Sequence, residues 1–253
     1  MNPWYYVLIV LGGLLLLFFC FSLYVNYRFN PKKKKGNSDK YAVKNVVPLP
    51  SSPLKGKLIY FLGSSVTFGA ASFQEAVPEF LAKRNSCTSV KEAVSGTTLA
   101  DINDNSYVKR LTKLPLDKKP DAFILQLSTN DANIKTVEFG KIAEDENYDT
   151  KTTLGAIEYI ASYVKKNFGC PMFIYFNPPY GSQRYAALVE AVKPLVEKWH
   201  LNVIDLYSDP AYSTNLSKKE KFLYMNDPVH PTKAGYLIKW TPLFEKRLEE
   251  TLK

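Results

Sequence analysis

The sequence predicts an α/β fold, a parallel sheet with helices on both faces, preceded by one N-terminal transmembrane helix. Three observations predict it. Five short runs rich in β-branched and aromatic residues alternate with amphipathic stretches of helical period. Those runs are largely apolar rather than apolar at every second residue, as in strands buried on both faces. Residues 1–27 carry no charged side chain.

The first segment is read as a span. From Trp4 to Tyr27 the chain is almost wholly apolar, and about 20 such residues cross a bilayer as a helix. Trp4, Tyr5 and Tyr6 at one end and Tyr24 and Tyr27 at the other suit the two interfacial belts. A cleaved signal peptide has a basic start, a shorter apolar core and a small-residue cleavage site, and none of these is present. An uncleaved span over residues 4–27 is expected. Arg28 and Lys32 to Lys35 follow it, so the positive-inside rule places the C-terminal side in the cytoplasm. Lys32–Lys35 can also meet anionic lipid head groups. Residues 28–56 read as a basic juxtamembrane segment and linker, whose part 36–56 is punctuated by Gly, Ser, Asn and Pro and expected to be semi-extended.

The α/β domain then occupies 57–253. Its predicted strands are Lys57–Leu62, Val90–Val94, Ala122–Leu127, Met172–Asn177 and Val203–Leu206. The predicted helices are Phe73–Arg84, Thr153–Phe168, Gln183–Trp199 and Thr232–Leu252. Residues 132–152, with Glu144-Asp145-Glu146, read as a surface excursion or part of a substrate lid. In parallel sheets ligands sit at the carboxyl ends of the strands. The segments there are Ser64–Gly69, Ser95–Thr98, Ser128–Asp131 and Pro178–Gly181, all small or polar.

Those segments carry a set of groups suited to acyl transfer. A serine hydroxyl needs a base to take its proton, and the chain has two histidines. His200 ends a helix, where a cap or surface role suffices. His230 lies between prolines, three residues after Asp227, so one short turn brings the carboxylate to the imidazole. Gly96 and Asn130 sit on the same rim and can donate to a developing oxyanion, or serve as a turn residue and a helix cap. Residues alone leave Ser64 and Ser65 as alternative nucleophiles.

Gly63-Ser64-Ser65-Val66-Thr67-Phe68-Gly69, Gly96, Asn130 and Asp227-x-x-His230, followed by Pro231-Thr232-Lys233-Ala234-Gly235-Tyr236, resemble the four blocks of the SGNH hydrolases, the GDSL-type esterases and lipases. The resemblance covers about Lys57 to Lys253. It implies a three-layer α/β/α, flavodoxin-like fold. It implies Ser65 as nucleophile, His230 as base and then acid, Asp227 as its orienter, and an oxyanion hole from the Ser65 and Gly96 N–H groups and the Asn130 amide. It implies a serine ester hydrolase that needs no metal or cofactor. The family usually has Asp where Ser64 stands and often Gly where Ser128 stands. Phe68, Tyr180 and Tyr185 are candidate pocket walls, or packing residues.

Composition narrows the alternatives. Of the formal charge of +9, the first 35 residues contribute +5, so the basic balance is partly local and no nucleic-acid partner is expected. Cys20, Cys87 and Cys170 lack metal-ligand spacing and read as small buried hydrophobes. The expected substrate is a small-molecule or glycan ester, for instance an acetyl group on a carbohydrate or a lipid-linked molecule. An acyltransferase on the same scaffold would use the same triad; a non-catalytic glycan- or partner-binding module is the other alternative, against which the intact Ser65, Asn130, Asp227 and His230 argue.

Overall fold

The computed structural model describes residues 3–213 and 216–252. It begins with helix α1, Pro3–Phe29, whose Trp4–Phe29 stretch is the one helix among the described residues long and apolar enough to cross a membrane. At 1.5 Å per residue it is about 40 Å long, against about 30 Å of hydrocarbon. It touches no core of its own, and its apolar side chains are exposed.

Five parallel strands follow: β1 Leu58–Gly63, β2 Thr88–Ala93, β3 Ala122–Gln126, β4 Met172–Phe176 and β5 Asn202–Asp205. Their spatial order is β2-β1-β3-β4-β5. This is the expected α/β/α arrangement. The strand boundaries agree within two residues. The chain winds outward from β1 to β2, then returns across β1 to β3, so the crevice between the carboxyl ends of β1 and β3 is a topological switch point.

Alternation explains why the central strands are apolar on both faces. Tyr60, Leu62, Phe123, Leu125 and Ile174 pack into one core with helices α4 (Tyr107–Leu111), α6 (Thr153–Asn167) and α7 (Gln183–Trp199). Ile59, Phe61, Ile124, Phe173 and Tyr175 pack into the other, with α3 (Val77–Asn85) and the C-terminal helix. Edge strand β2 carries Lys91 and Glu92, which discourage further strand pairing.

Two helices differ from their sequence reading. The first starts at Val77 rather than Phe73, because Phe73 and Gln74 take left-handed φ values of 58° and 65°. The last expected helix, Thr232–Leu252, begins instead as a π-helical turn, Gly235–Trp240, and becomes the α-helix α10 at Thr241–Thr251. Pro242 has no N–H to bond back to Ile238, which loosens the helix there. Helices α6 and α7 start as expected, capped by the Thr152 and Ser182 hydroxyls.

The segment read as a linker is folded onto the domain. Residues 31–45 form four successive 3₁₀ turns, Pro31–Lys33, Lys35–Asn37, Asp39–Tyr41 and Val43–Asn45. Asn37 is buried; its amide donates to the Ala71 carbonyl at 2.8 Å and its oxygen accepts the Lys233 N–H at 2.9 Å. The Val43 N–H donates to Glu75 at 2.7 Å. Composition suggested an extended segment; side-chain hydrogen bonds from distant residues, invisible in local sequence, dock it.

Residues 134–152 hold no helix or strand and are pinned rather than loose. Buried Glu158 accepts the Ala143 N–H at 2.8 Å and the Lys198 ammonium at 2.6 Å.

A Cβ at Gly36 would lie 1.9 Å from the Leu223 carbonyl and 2.4 Å from the Thr232 hydroxyl. Gly36→Val should therefore undock this segment at a cost of roughly 1–3 kcal/mol. Tryptic cleavage at Lys34 and Lys35, slow in the wild type because Lys34 is buried, should become fast in the variant.

Candidate active site

Ser65 is the first residue of a one-turn helix, α2 (Ser65–Phe68), directly after β1. This turn is tight for a reason. A Cβ at Gly63 would fall 1.9 Å from the Thr67 hydroxyl, so only glycine fits. Gln126 at the end of β3 holds the turn: its carbonyl oxygen accepts the Ser64 N–H at 2.9 Å, the Thr67 N–H at 3.2 Å and the Thr67 hydroxyl at 2.8 Å. As the first helical residue, Ser65 has an N–H outside the helix's own bonding.

Ser65 and His230, 165 residues apart, meet here. The Ser65 hydroxyl lies 2.8 Å from His230 Nε2. His230 Nδ1 lies 2.9 Å from Asp227 Oδ2 and 3.0 Å from Oδ1. Asp227 also accepts the backbone N–H groups of Val229 and His230, each at 2.9 Å. Burial opposes its ionisation, but the hydrogen bond and charge of His230, with these two N–H groups, prevail and hold its carboxyl down at about 2. An ionised carboxylate only accepts, so His230 Nδ1 carries the proton and Nε2 is left to accept the Ser65 hydroxyl. The loop is closed by the Asn226 N–H to the His230 carbonyl at 2.8 Å and by a Met225–Pro231 bridge. Ser65 is 8% exposed, whereas the His230 and Asp227 side chains are about one-quarter exposed, so solvent reaches the pair.

Gly96 and Asn130 lie on the same rim. Gly96 has φ of 81° and open space where a Cβ would stand; among the described residues its N–H meets no acceptor. The Asn130 amide donates to the Thr97 carbonyl at 2.8 Å, which leaves its second N–H for another acceptor. Asn130 does not cap its helix, α5 (Thr129–Asn133); that role belongs to Ser128, whose hydroxyl accepts the Asn130 and Asp131 N–H groups.

Three residues that hold this rim carry no motif signal. Arg110 is fully buried and donates to the Gly63 carbonyl at 2.7 Å and the Thr97 hydroxyl at 3.0 Å, tying the Ser65 turn to the Gly96 loop. Asp131 accepts the Leu99 and Ala100 N–H groups and the Thr153 hydroxyl. Gln126 is the third. Each stands in sequence as an ordinary polar residue in a strand or helix, and only burial would have singled it out.

The remaining candidates separate. Tyr180 lines a cavity of about 300 Å³ that also touches Asp227. Tyr185 is core, its hydroxyl accepting the Asn177 N–H at 2.8 Å. Phe68 is half-buried with the Lys91 ammonium 5.7 Å over its ring, away from that cavity. His200 is the left-handed C-cap of α7, as its position suggested. Burial pushes the Cys87 and Cys170 thiols up to about 11, which leaves them unreactive near neutrality.

The profile of the GDSL-like lipase/acylhydrolase family matches residues 61–238, which includes every one of these rim segments. The chain belongs to that family. Its fold is shared by solved structures of low sequence identity. A Bacteroides fragilis protein described as an acylhydrolase is 22% identical, with a TM-score of 0.56 over 87% of this chain and all of its own. A GDSL-like lipase by its description, from Bacteroides ovatus, is 16% identical, with a TM-score of 0.59 over 78% of this chain and all of its own. A carbohydrate esterase family 2 enzyme with a carbohydrate-binding domain, from Corynascus thermopiles, is 17% identical, with a TM-score of 0.53 over 81% of this chain and 69% of its own. No curated protein sequence matches the chain.

The Asp227 environment sets a stability trend in acid. Its carboxyl is held near 2, below the ordinary 3.8. The group therefore stabilises the fold by roughly 2 kcal/mol above about pH 4, and this contribution disappears as pH falls through about 2. Denaturant midpoints of wild type and Asp227→Asn, followed from neutral to acid pH, should converge towards the low end.

Proposed function

We propose that the protein is a serine ester hydrolase. The observation that carries this reading is the continuous Asp227–His230–Ser65 hydrogen-bond chain at the switch point of a parallel sheet. His230 Nε2 takes the Ser65 proton as Oγ attacks an ester carbonyl. Asp227 holds the imidazole in the required tautomer and stabilises the imidazolium. The Ser65 and Gly96 N–H groups and the Asn130 amide receive the oxyanion, whose stabilisation is the main electrostatic term in such reactions. His230 then gives its proton to the leaving alcohol, and water repeats the sequence on the acyl-enzyme. None of these steps calls on a metal or cofactor.

The substrate class we infer is a small acyl ester on a carbohydrate or lipid-linked molecule. The fold shared with a carbohydrate esterase supports the first of these. A sugar hydroxyl in place of water would make the same acyl-enzyme a transferase intermediate. Chain α1 acts as a membrane anchor in this reading, and the basic residues Arg28 and Lys32–Lys35 after it put the domain on the cytoplasmic side. Proteolysis of intact cells should then spare the domain, and digestion from outside would reverse the orientation.

The full chain in detergent should hydrolyse p-nitrophenyl acetate, and Ser65→Ala should lower the rate on the order of 10⁴-fold or more. Asn130→Ala should cost about 10²–10³ in turnover. Wild type should be labelled at Ser65 by a fluorophosphonate probe. Equal rates for wild type and Ser65→Ala would remove Ser65 as the nucleophile.

A further inference from the structure

The cavity of about 300 Å³ lies between the end of α1 and the loop that carries Asp227. Arg28 from the last turn of α1, Lys221 from helix α9 (Lys218–Tyr224) and Lys239 from the π turn all face it. The acid on its wall, Asp227, is engaged by His230. Among the described residues, none of these three cations has a carboxylate within ion-pair distance, although eleven other basic or histidine side chains do. Glu220 accepts the Ser217 amide and hydroxyl, and acts on Lys239 through space without reaching ion-pair distance.

A fourth cation lies behind them. Lys34 is 3% exposed, its ammonium has no hydrogen-bond partner, and it sits 4.5 Å from the Phe222 ring that also stacks with Arg28. Burial first, then Arg28, pushes its ammonium down to about 8, against the pull of Asp227. Four cations thus gather with no carboxylate in ion-pair contact among the described residues, an arrangement that an anion relieves.

The position of the cavity identifies the anion's source. The Phe29 carbonyl, at the end of α1, accepts the Asn226 amide at 3.0 Å. This bond joins the last residue of the helix to the residue before Asp227. With α1 read as a membrane anchor, as under the proposed function, the cavity opens at the level of the head groups around Tyr24 and Tyr27. Tyr212, Tyr224 and Trp240 complete its wall with amphipathic rings suited to that depth.

We propose that this cavity binds the phosphate-bearing headgroup of an anionic membrane lipid, between the anchor and the back of the Asp227 loop. Arg28, Lys221 and Lys239 contact the phosphate, and the aromatic wall takes the glycerol portion. The site borders the Ser65 rim through Tyr180 and Asp227 but does not depend on ester hydrolysis.

The test uses the full chain with Ser65→Ala, so that no lipid is turned over, in neutral detergent. Retained lipid is read by native mass spectrometry with phosphatidylglycerol or phosphatidylcholine. One phosphatidylglycerol should be retained in preference to phosphatidylcholine. Lys221→Gln/Lys239→Gln should lower its retention about tenfold or more, since each juxtamembrane cation near a lipid surface is worth about 1 kcal/mol. Lys221→Arg/Lys239→Arg should retain it, and Lys32→Gln/Lys33→Gln, outside the cavity, should change little. Equal retention of the two lipids, a result that needs no variant, overturns the proposal. So does an equal loss in the Lys32/Lys33 pair, which would mean diffuse surface charge. Displacement by inorganic phosphate at the lipid's own concentration would assign the site to a soluble anion instead.

Discussion

The hydrogen bond between Ser65 and His230 joins residues 165 positions apart, and much of the architecture serves to hold it at 2.8 Å. One end stands on a one-turn helix projecting from β1. The other stands on a loop whose own carboxylate, Asp227, gathers three N–H groups from Val229 and His230. A loop so short can be rigid because its charged centre is engaged by its own backbone and by the His230 ring. Brought together at the crevice between β1 and β3, the two ends leave a lone pair and a proton facing each other without any further movement of the chain.

Around that bond lies a buried polar frame. Arg110, Gln126 and Asp131 reach across three strand-end loops and satisfy backbone groups that the tight turns leave unpaired. A charged guanidinium fully withdrawn from water is tolerated there because carbonyls and hydroxyls surround it, with Glu92 alongside at 3.3 Å. Such a frame makes the rim stiff, and in the proposed reaction stiffness is what the oxyanion donors require, since they must already point where charge will develop.

The 3₁₀ turns of residues 31–45 extend the frame to the end of α1. Asn226 bonds Phe29 on one side of the Asp227–His230 loop, and Lys233 bonds Asn37 on the other. The end of α1 and the Asp227–His230 loop are thus tied to each other. A fragment that starts after Asn37 would lose both contacts, so the domain is best studied with the preceding residues in place.

Much of this was legible in the amino-acid sequence. Apolar runs marked the strands within two residues, most plainly the central β1, β3 and β4, because a strand buried on both faces is apolar at nearly every position. The small and polar segments after each run marked the rim, and Asp227-x-x-His230 marked a self-contained turn, because contacts within three residues are local. What only the tertiary structure decided are the contacts between distant segments: that Arg110 and Gln126 hold the Ser65 turn, that Ser128 rather than Asn130 caps α5, and that residues 31–45 are docked rather than extended. Composition records how readily a segment bends or dissolves. It does not record which buried partner, a hundred residues or more away, will accept its hydrogen bonds.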